Sequence, residues 1–180
     1  LTITKLKPTI VIIACVLFVS ISVLSYNIDT AKLRFTGDCR SCELNQQSFE
    51  RFNFTDADLS YSNISESNLK SAYLIRAILV GANLGYSDLT GADLIWADLR
   101  QSNLTGTIFY GSRLVEANLS NLDLRNTVFD WALLTSINFS GSNLTGNDLS
   151  NLILSGASFK GANLDGVDFS NAELQSGNFM

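Results

Sequence analysis

Residues 81–100 read GANLGYSDLTGADLIWADLR, and a leucine returns at every fifth position of this stretch. The spacing continues in both directions: from Leu44 to Phe179 it gives 28 central positions, and each of them is Leu, Phe or Ile. Two residues before the central position, a small side chain (Ala, Ser, Thr, Gly or Cys) stands in 21 of the 28 units. The residue between these two is mostly Asp or Asn. The chain is therefore a tandem repeat of five-residue units whose phase is never broken.

A period of five residues fits neither an α-helix, which repeats every 3.6 residues, nor a flat strand, which alternates every two. It fits a chain that turns a corner after every unit, with the central and the small side chains pointing inward. Four such sides close one coil, and stacked coils pair their backbones at a spacing of about 4.8 Å. The pattern predicts an all-β repeat protein of about seven coils, which is a rod roughly 34 Å long.

The tetrapeptides Gly-Ala-Asn-Leu at 81–84 and Gly-Ala-Asp-Leu at 91–94 closely resemble the repeat of the pentapeptide-repeat family. The resemblance covers residues 39–180 and implies a right-handed quadrilateral β-helix. The pattern L-x-x-T-x-x-C-x-x-C-x-L from Leu33 to Leu44 is similar to the opening of exported cyanobacterial and chloroplast-lumen members. That similarity implies a thylakoid or plasma-membrane setting.

Some units depart from the pattern, because a large residue occupies the small inner position. We expect these residues to widen the core locally, and the sequence assigns them no function: Phe52, Leu122, Ile137, Leu152 and Val167.

The N-terminal segment from Pro8 to Ile28 has no charged residue, and two lysines precede it. A membrane-spanning helix needs about 20 mostly apolar residues, with a range of about 17–25. We therefore predict an N-terminal hydrophobic helix that is either an uncleaved membrane anchor or a signal segment cleaved after Ser25; a buried helix is the third alternative. The predicted division of the chain is an anchor or signal segment, a linker and cap, and the repeat rod: residues 1–28, 29–43 and 44–180.

Cys39 and Cys42 form a single C-x-x-C motif, and the chain has no histidine. Metal sites built from this motif usually need a second C-x-x-C or a pair of histidines, so we expect no metal. Cys39 falls in phase with the central positions and Cys42 with the small ones. We predict a disulfide between them, the alternative being two reduced cysteines packed in the core. Because disulfides persist in oxidising compartments, we expect the repeat on the lumenal or periplasmic side.

Composition argues against catalysis and against nucleic acid as a partner. Without histidine there is no Ser-His-Asp or Cys-His arrangement, and no phosphate-binding loop or dinucleotide motif occurs. The Asp and Ser residues are explained by the repeat as solvated outer positions. We expect no enzyme activity and no cofactor, and a net charge of −5 weighs against nucleic acid.

Residues 20 apart stack on the same side of the predicted rod, which sorts the outward positions into four faces. The face centred on Leu84 is a polar asparagine ladder, and those centred on Leu89 and Leu99 are mixed. The face centred on Leu94 instead stacks apolar and arginine side chains in register. We predict a partner-binding or homodimer face there, scattered exposed apolar residues being the alternative: Tyr73, Ile75, Arg76, Ile95, Trp96, Arg113, Val115, Leu133 and Ile153.

Three functions fit this sequence. The preferred one is a non-catalytic, membrane-tethered scaffold that binds a protein partner, including a membrane complex. An acidic rod that mimics DNA and acts on a topoisomerase is the second, although the chain departs from that branch of the family, whose members typically carry an added C-terminal dimerisation helix. A purely structural rod without a specific partner is the third.

Overall fold

The computed structural model of the protein describes residues 38–180. The predicted hydrophobic segment at residues 1–28 and the start of the predicted cap lie outside the described residues. Within the described range, no helix has the length and apolar character needed to cross a membrane.

Backbone pairing is parallel and joins residues 20 apart, from Asp38 with Asp58 to Ser158 with Asn178. Each pairing involves a single residue, and a two-residue turn follows every central position, so the described residues contain neither a continuous strand nor a helix. Twenty residues thus make one circuit of four sides. The predicted all-β repeat architecture is confirmed, and the number of coils stays a prediction.

The unit Ala82–Tyr86 shows how one repeat satisfies its backbone, because all five of its N–H groups have a partner. Two N–H groups donate to the following coil, one to the preceding coil, and one to the carbonyl of the preceding central residue. The fifth, at the first corner residue, donates to the side chain of the Asp or Asn two residues earlier. The five bonds are Leu84 to Asn103 O, Tyr86 to Thr105 O, Asn83 to Ser62 O, Ala82 to Leu79 O and Gly85 to Asn83 Oδ1.

The Asp and Asn residues of the repeat are therefore backbone caps as well as solvated groups. Each of the 18 Asp and Asn residues before a central position accepts a hydrogen bond from the N–H two residues later. A short side chain with an oxygen at this distance mimics a turn and satisfies a donor that no carbonyl reaches. This explains the residue preference more fully than solvation does.

The second corner residue adopts the left-handed conformation almost everywhere. In the part of the chain that the structure describes, eighteen non-glycine residues and nine glycines have positive φ, and Asn126 is the exception among the second corner residues. Glycine is required at position 81 for a further reason: a Cβ there would lie 2.6 Å from the ring of Tyr61, which covers it from the preceding coil. Tyr86 covers Gly106 in the same way.

The interior consists of stacked central residues with small residues between them, and nearly all are buried. The rings of Phe109 and Phe129 stack at 5.7 Å, and those of Phe139 and Phe159 at 5.6 Å. Burial decreases over residues 161–180, where Phe179 is 47% exposed, because the last coil is covered on one side only.

The 20-residue pairing is interrupted at two places in the described residues: Asn103 is not paired with Asp123, nor Val128 with Asp148. The first interruption follows Leu122, a large residue at the small position, and the hydroxyl of Ser102 one coil earlier is buried without a partner. By contrast, the equally large Ile137 leaves the pairing of its neighbour intact.

The second interruption follows Asn147, which continues an inner column of hydroxyl side chains. In the preceding coils each hydroxyl donates to the carbonyl 23 residues earlier, as Thr127 Oγ1 does to Leu104 O. The longer amide of Asn147 instead donates to Thr127 O at 2.9 Å. In the regular coils the carbonyl at this position accepts a hydrogen bond from the N–H of the outer residue one coil later, as Thr107 O does from Val128 N. Asp148 N therefore has no carbonyl partner.

Candidate functional site

The predicted stack of aliphatic side chains on the face centred on Leu94 is contiguous in the structure. Ile75, Ile95 and Val115 are half-buried first corner residues of successive coils. Their carbonyl groups are tied to the coil before, since Arg76 N donates to Ile95 O at 2.9 Å and Trp96 N to Val115 O at 3.0 Å. The three side chains therefore form one aliphatic strip along the rod.

Aromatic and branched side chains border this strip and project further into solvent. Tyr73 and Trp96 are 50% and 51% exposed, and Leu133 and Ile153 are also exposed. Tyr73, Arg113, Leu133 and Ile153 belong to one ladder of paired residues, whose other members are Asn53, Asp93 and Glu173. The structure thus brings all nine predicted residues to one side of the rod.

Apolar residues in the outer position have a structural cost. Leu133 and Ile153 replace the Asp or Asn that caps the first corner N–H, and the N–H groups of Thr135 and Ser155 donate no hydrogen bond within the described chain. A typical protein hydrogen bond contributes about 0.5–1.5 kcal/mol, so these side chains weaken the rod that carries them. Stability of the isolated rod therefore does not explain their presence.

The two predicted arginines are engaged in ion pairs within the rod. Arg76 makes two hydrogen bonds to the Asp56 carboxylate, at 2.6 and 2.7 Å, and Arg113 contacts Asp93 at 2.7 Å. The hydrogen bond from Arg76 lowers the pKa of Asp56, and the same bond raises the pKa of Arg76. Both guanidinium groups remain about half exposed and flank the strip. Their positive charges are already neutralised by Asp56 and Asp93.

The sequence reasoning missed a second set of apolar residues, on the face centred on Leu89. Ile108, Val128, Tyr110 and Trp131 are exposed, and Trp131 reaches 75%. Ile108 and Val128 are paired and occupy the outer position, so the same stacking rule applied to this face would have found them. This set adjoins the face centred on Leu94, because Trp131 stands at the corner of the coil two residues before Leu133. We call the combined surface the apolar surface: Tyr73, Ile75, Ile95, Trp96, Val115, Leu133 and Ile153 with Ile108, Tyr110, Val128 and Trp131.

Cys39 and Cys42 form a disulfide in the structure, with their Cα atoms 5.3 Å apart. Both are fully buried, the first at a central position and the second at a small one. Among residues 38–180, no group of three or more His, Cys, Asp or Glu side chains is arranged to hold a metal ion.

Comparison with solved structures finds several rods of related sequence. HetL, a pentapeptide repeat protein involved in heterocyst differentiation regulation from the cyanobacterium Nostoc sp. strain PCC 7120, is 29% identical over 78% of this chain and 78% of its own, with a TM-score of 0.38. QnrB1, a plasmid-mediated fluoroquinolone resistance protein, is 23% identical over 79% of this chain and 76% of its own, with a TM-score of 0.38. A pentapeptide repeat protein from the Arabidopsis thaliana thylakoid lumen is 24% identical over 73% and 71%, with a TM-score of 0.25.

The assignment to a family rests on the repeats. No curated protein matches the chain. The family model for pentapeptide repeats does match, in eight copies, over most of the chain: residues 38–74, 67–106, 112–151, 123–161 and 153–179. The protein belongs to the pentapeptide repeat family.

Proposed function

We propose that this protein is a non-catalytic scaffold whose apolar surface binds a protein partner. The observation that supports the proposal is the stacking of apolar side chains along the rod, two of which, Leu133 and Ile153, leave a backbone N–H without its capping side chain. Monomeric proteins rarely expose contiguous apolar patches beyond a few hundred Å², and larger ones usually mark interaction sites. Trp and Tyr are also enriched among residues that dominate binding energy. A second copy of the chain is an alternative occupant of this surface.

The proposed setting is the lumenal or periplasmic side of a thylakoid or plasma membrane, with residues 1–28 as the anchor, 29–43 as the cap and 44–180 as the rod. The buried disulfide supports an oxidising compartment. A carbonate wash of membranes should leave the anchored protein in the pellet, and protease added to sealed vesicles should leave the rod intact. Release of a soluble chain beginning near Tyr26 identifies a cleaved signal instead.

The acidic DNA-mimic alternative is weakened by the ion pairs of the rod. Among residues 38–180, six Asp carboxylates lie within 4.0 Å of an Arg or Lys nitrogen, all of them at or before residue 125. A surface whose negative charges alternate with paired positive ones does not reproduce the continuous charge of a phosphate backbone.

The deciding experiment compares two double variants in which one aliphatic and one aromatic surface residue are made polar. Ile95→Thr with Trp96→Ser alters the apolar surface, while Ile78→Thr with Tyr86→Ser alters exposed residues elsewhere on the rod. Both pairs leave the central residues unchanged, so both variants should fold, as circular dichroism will check. Capture of partners from mildly solubilised membranes, together with light scattering, should show loss of the partner or dimer for the first variant only. Retention of every partner and of the oligomeric state by a folded first variant refutes the proposal and leaves the purely structural rod.

A further inference from the structure

A groove runs between two successive coils on the face centred on Leu89, beside the apolar surface. It consists of two adjoining depressions of ≈ 290 Å³ and ≈ 490 Å³. Both are lined by Asp130 and Asp148; Asn147 lines the first, and Trp131 and Ser150 line the second. We call it the inter-coil groove.

The groove lies where the second interruption separates the coils. In the regular part of the rod, the N–H groups of a central residue and of the second corner residue donate to the coil that follows. Here Phe129 N does not bond to Asp148 O, and Trp131 N does not bond to Ser150 O. The carbonyl oxygens of Asp148 and Ser150 therefore accept no backbone hydrogen bond within the described chain.

The groove is rich in hydrogen-bond acceptors that lack a positive partner. Neither Asp130 nor Asp148 is within 4.0 Å of a Lys or Arg nitrogen of the described residues, in contrast to the six paired Asp of the rod. Asn147 is 6% exposed and its Oδ1 has no hydrogen-bond partner. Because a buried acceptor without a donor is unfavourable, this oxygen weakens the packing of the two coils beside the groove.

Charges around the groove favour a cation. Asp168 is paired with Asp148 along the same face and adds a third carboxylate. Arg125 lines the far end of the first depression, but it is held by Asp123 at 2.7 Å. From residue 126 onward the chain has five acidic residues and one basic residue, Lys160, so the field at the groove is negative.

Trp131 decides which kind of cation fits. Its indole is 75% exposed beside Asp130, and a Trp face attracts guanidinium and ammonium groups, contributing about 0.5–1 kcal/mol at exposed sites. The carboxylates do not gather into a group able to hold a metal ion. We propose that the inter-coil groove binds an arginine or lysine side chain of the protein partner, with Asp130 and Asp148 accepting its hydrogen bonds and Trp131 covering its aliphatic and cationic part.

This proposal deepens the proposed function by giving the chemistry of the partner, and it uses residues other than the Ile95 and Trp96 pair, so the two can fail separately. The test measures binding of the fluorescein-labelled peptide Arg-Gly-Arg to the full chain in detergent by fluorescence anisotropy, with Gln-Gly-Gln as the uncharged control peptide. Asp130→Asn with Asp148→Asn should weaken binding at least tenfold. Trp131→Leu, which keeps all charges, should weaken it several-fold.

The matched control is Glu66→Gln with Glu116→Gln, which removes the same number of negative charges from exposed positions outside the groove. It should change the affinity by less than twofold. Equal weakening by the control and by the groove variant shows that only general charge is involved and overturns the proposal, as does unchanged binding by a folded groove variant. Displacement of the peptide by millimolar calcium chloride at constant ionic strength, without displacement by magnesium chloride, identifies a metal site and also overturns it.

Discussion

The coils between Ala57 and Leu99 and those between Leu122 and Leu152 follow the same five-residue rule with different results. In the first region every small inner position carries Ala or Ser, and each bridging residue is paired with the coils on both sides. In the second region large or longer side chains occupy four of the seven inner positions, and two pairings are lost, beside Leu122 and Asn147. Since both regions keep the large central residue, the small residue beside it controls the distance between coils. Native interiors are too closely packed to absorb an extra side chain without moving the backbone.

The largest expected effect comes from removing a central residue in the regular region. Leu84 is completely buried, so Leu84→Ala should destabilise the rod by about 2–5 kcal/mol, through lost burial and the cavity that remains. Leu122→Ala should cost much less, because the smaller side chain restores the regular pattern and lets the coils approach. Urea unfolding measures both. Equal losses for the two variants contradict the role given to the inner position.

Ala82→Leu should create an interruption of the coil pairing in the regular region, of the kind seen beside Leu122. The added atoms have no space beside Leu84, and overpacking of this kind typically costs about 1–3 kcal/mol. Hydrogen exchange should become faster at the N–H groups of Asn83 and Leu84, which donate to the coils on either side. Ala82→Ser is the matched control, since Ser occupies the same position one coil earlier and one coil later. Unchanged protection in the Leu variant rejects this account.

Asn147→Thr should repair the second interruption and stabilise the rod. A hydroxyl would continue the inner column, free Thr127 O for the N–H of Asp148, and remove a buried unpartnered oxygen, a change of about 1 kcal/mol. The expected results are a higher unfolding midpoint and slower hydrogen exchange at Asp148. Asn143→Thr, at an outer position, serves as the control and should not stabilise the rod.

The smallest effect concerns pH and separates the coils before residue 125 from those after it by their ion pairs. The hydrogen bond from Arg100 lowers the pKa of Asp98, and the bond from Arg125 lowers that of Asp123. A carboxyl with a lower pKa in the folded state stabilises the fold above its unfolded pKa, about 3.9, and this contribution is lost as pH falls through the folded value. The protection factors for hydrogen exchange in the coils before residue 125 should therefore fall below about pH 4 more than those in the coils after it. Arg100→Gln should reduce the difference.

The fold could be predicted from the sequence because the five-residue pattern fixes both which side chains point inward and which residues stack in successive coils. The interruptions could not, because Leu122 and Ile137 are both large aliphatic residues at the inner position, yet the pairing is lost beside Leu122 and kept beside Ile137. The capping role of Asp and Asn was also missed, since it depends on where a backbone N–H points. Trp131 was missed for a simpler reason: its face carries polar and apolar residues together, although Ile108 and Val128 stack in the same outer position.

Pairing at an offset of 20 residues makes the length of this rod adjustable. Removal or duplication of 20 residues changes the length by one coil, about 4.8 Å, and returns every remaining side chain to its original face. A gene of this kind can therefore gain or lose whole coils by slippage without disturbing surface chemistry. Such a rod can serve as a molecular ruler, in which the number of duplications sets the distance between the Cys39–Cys42 end and the apolar surface.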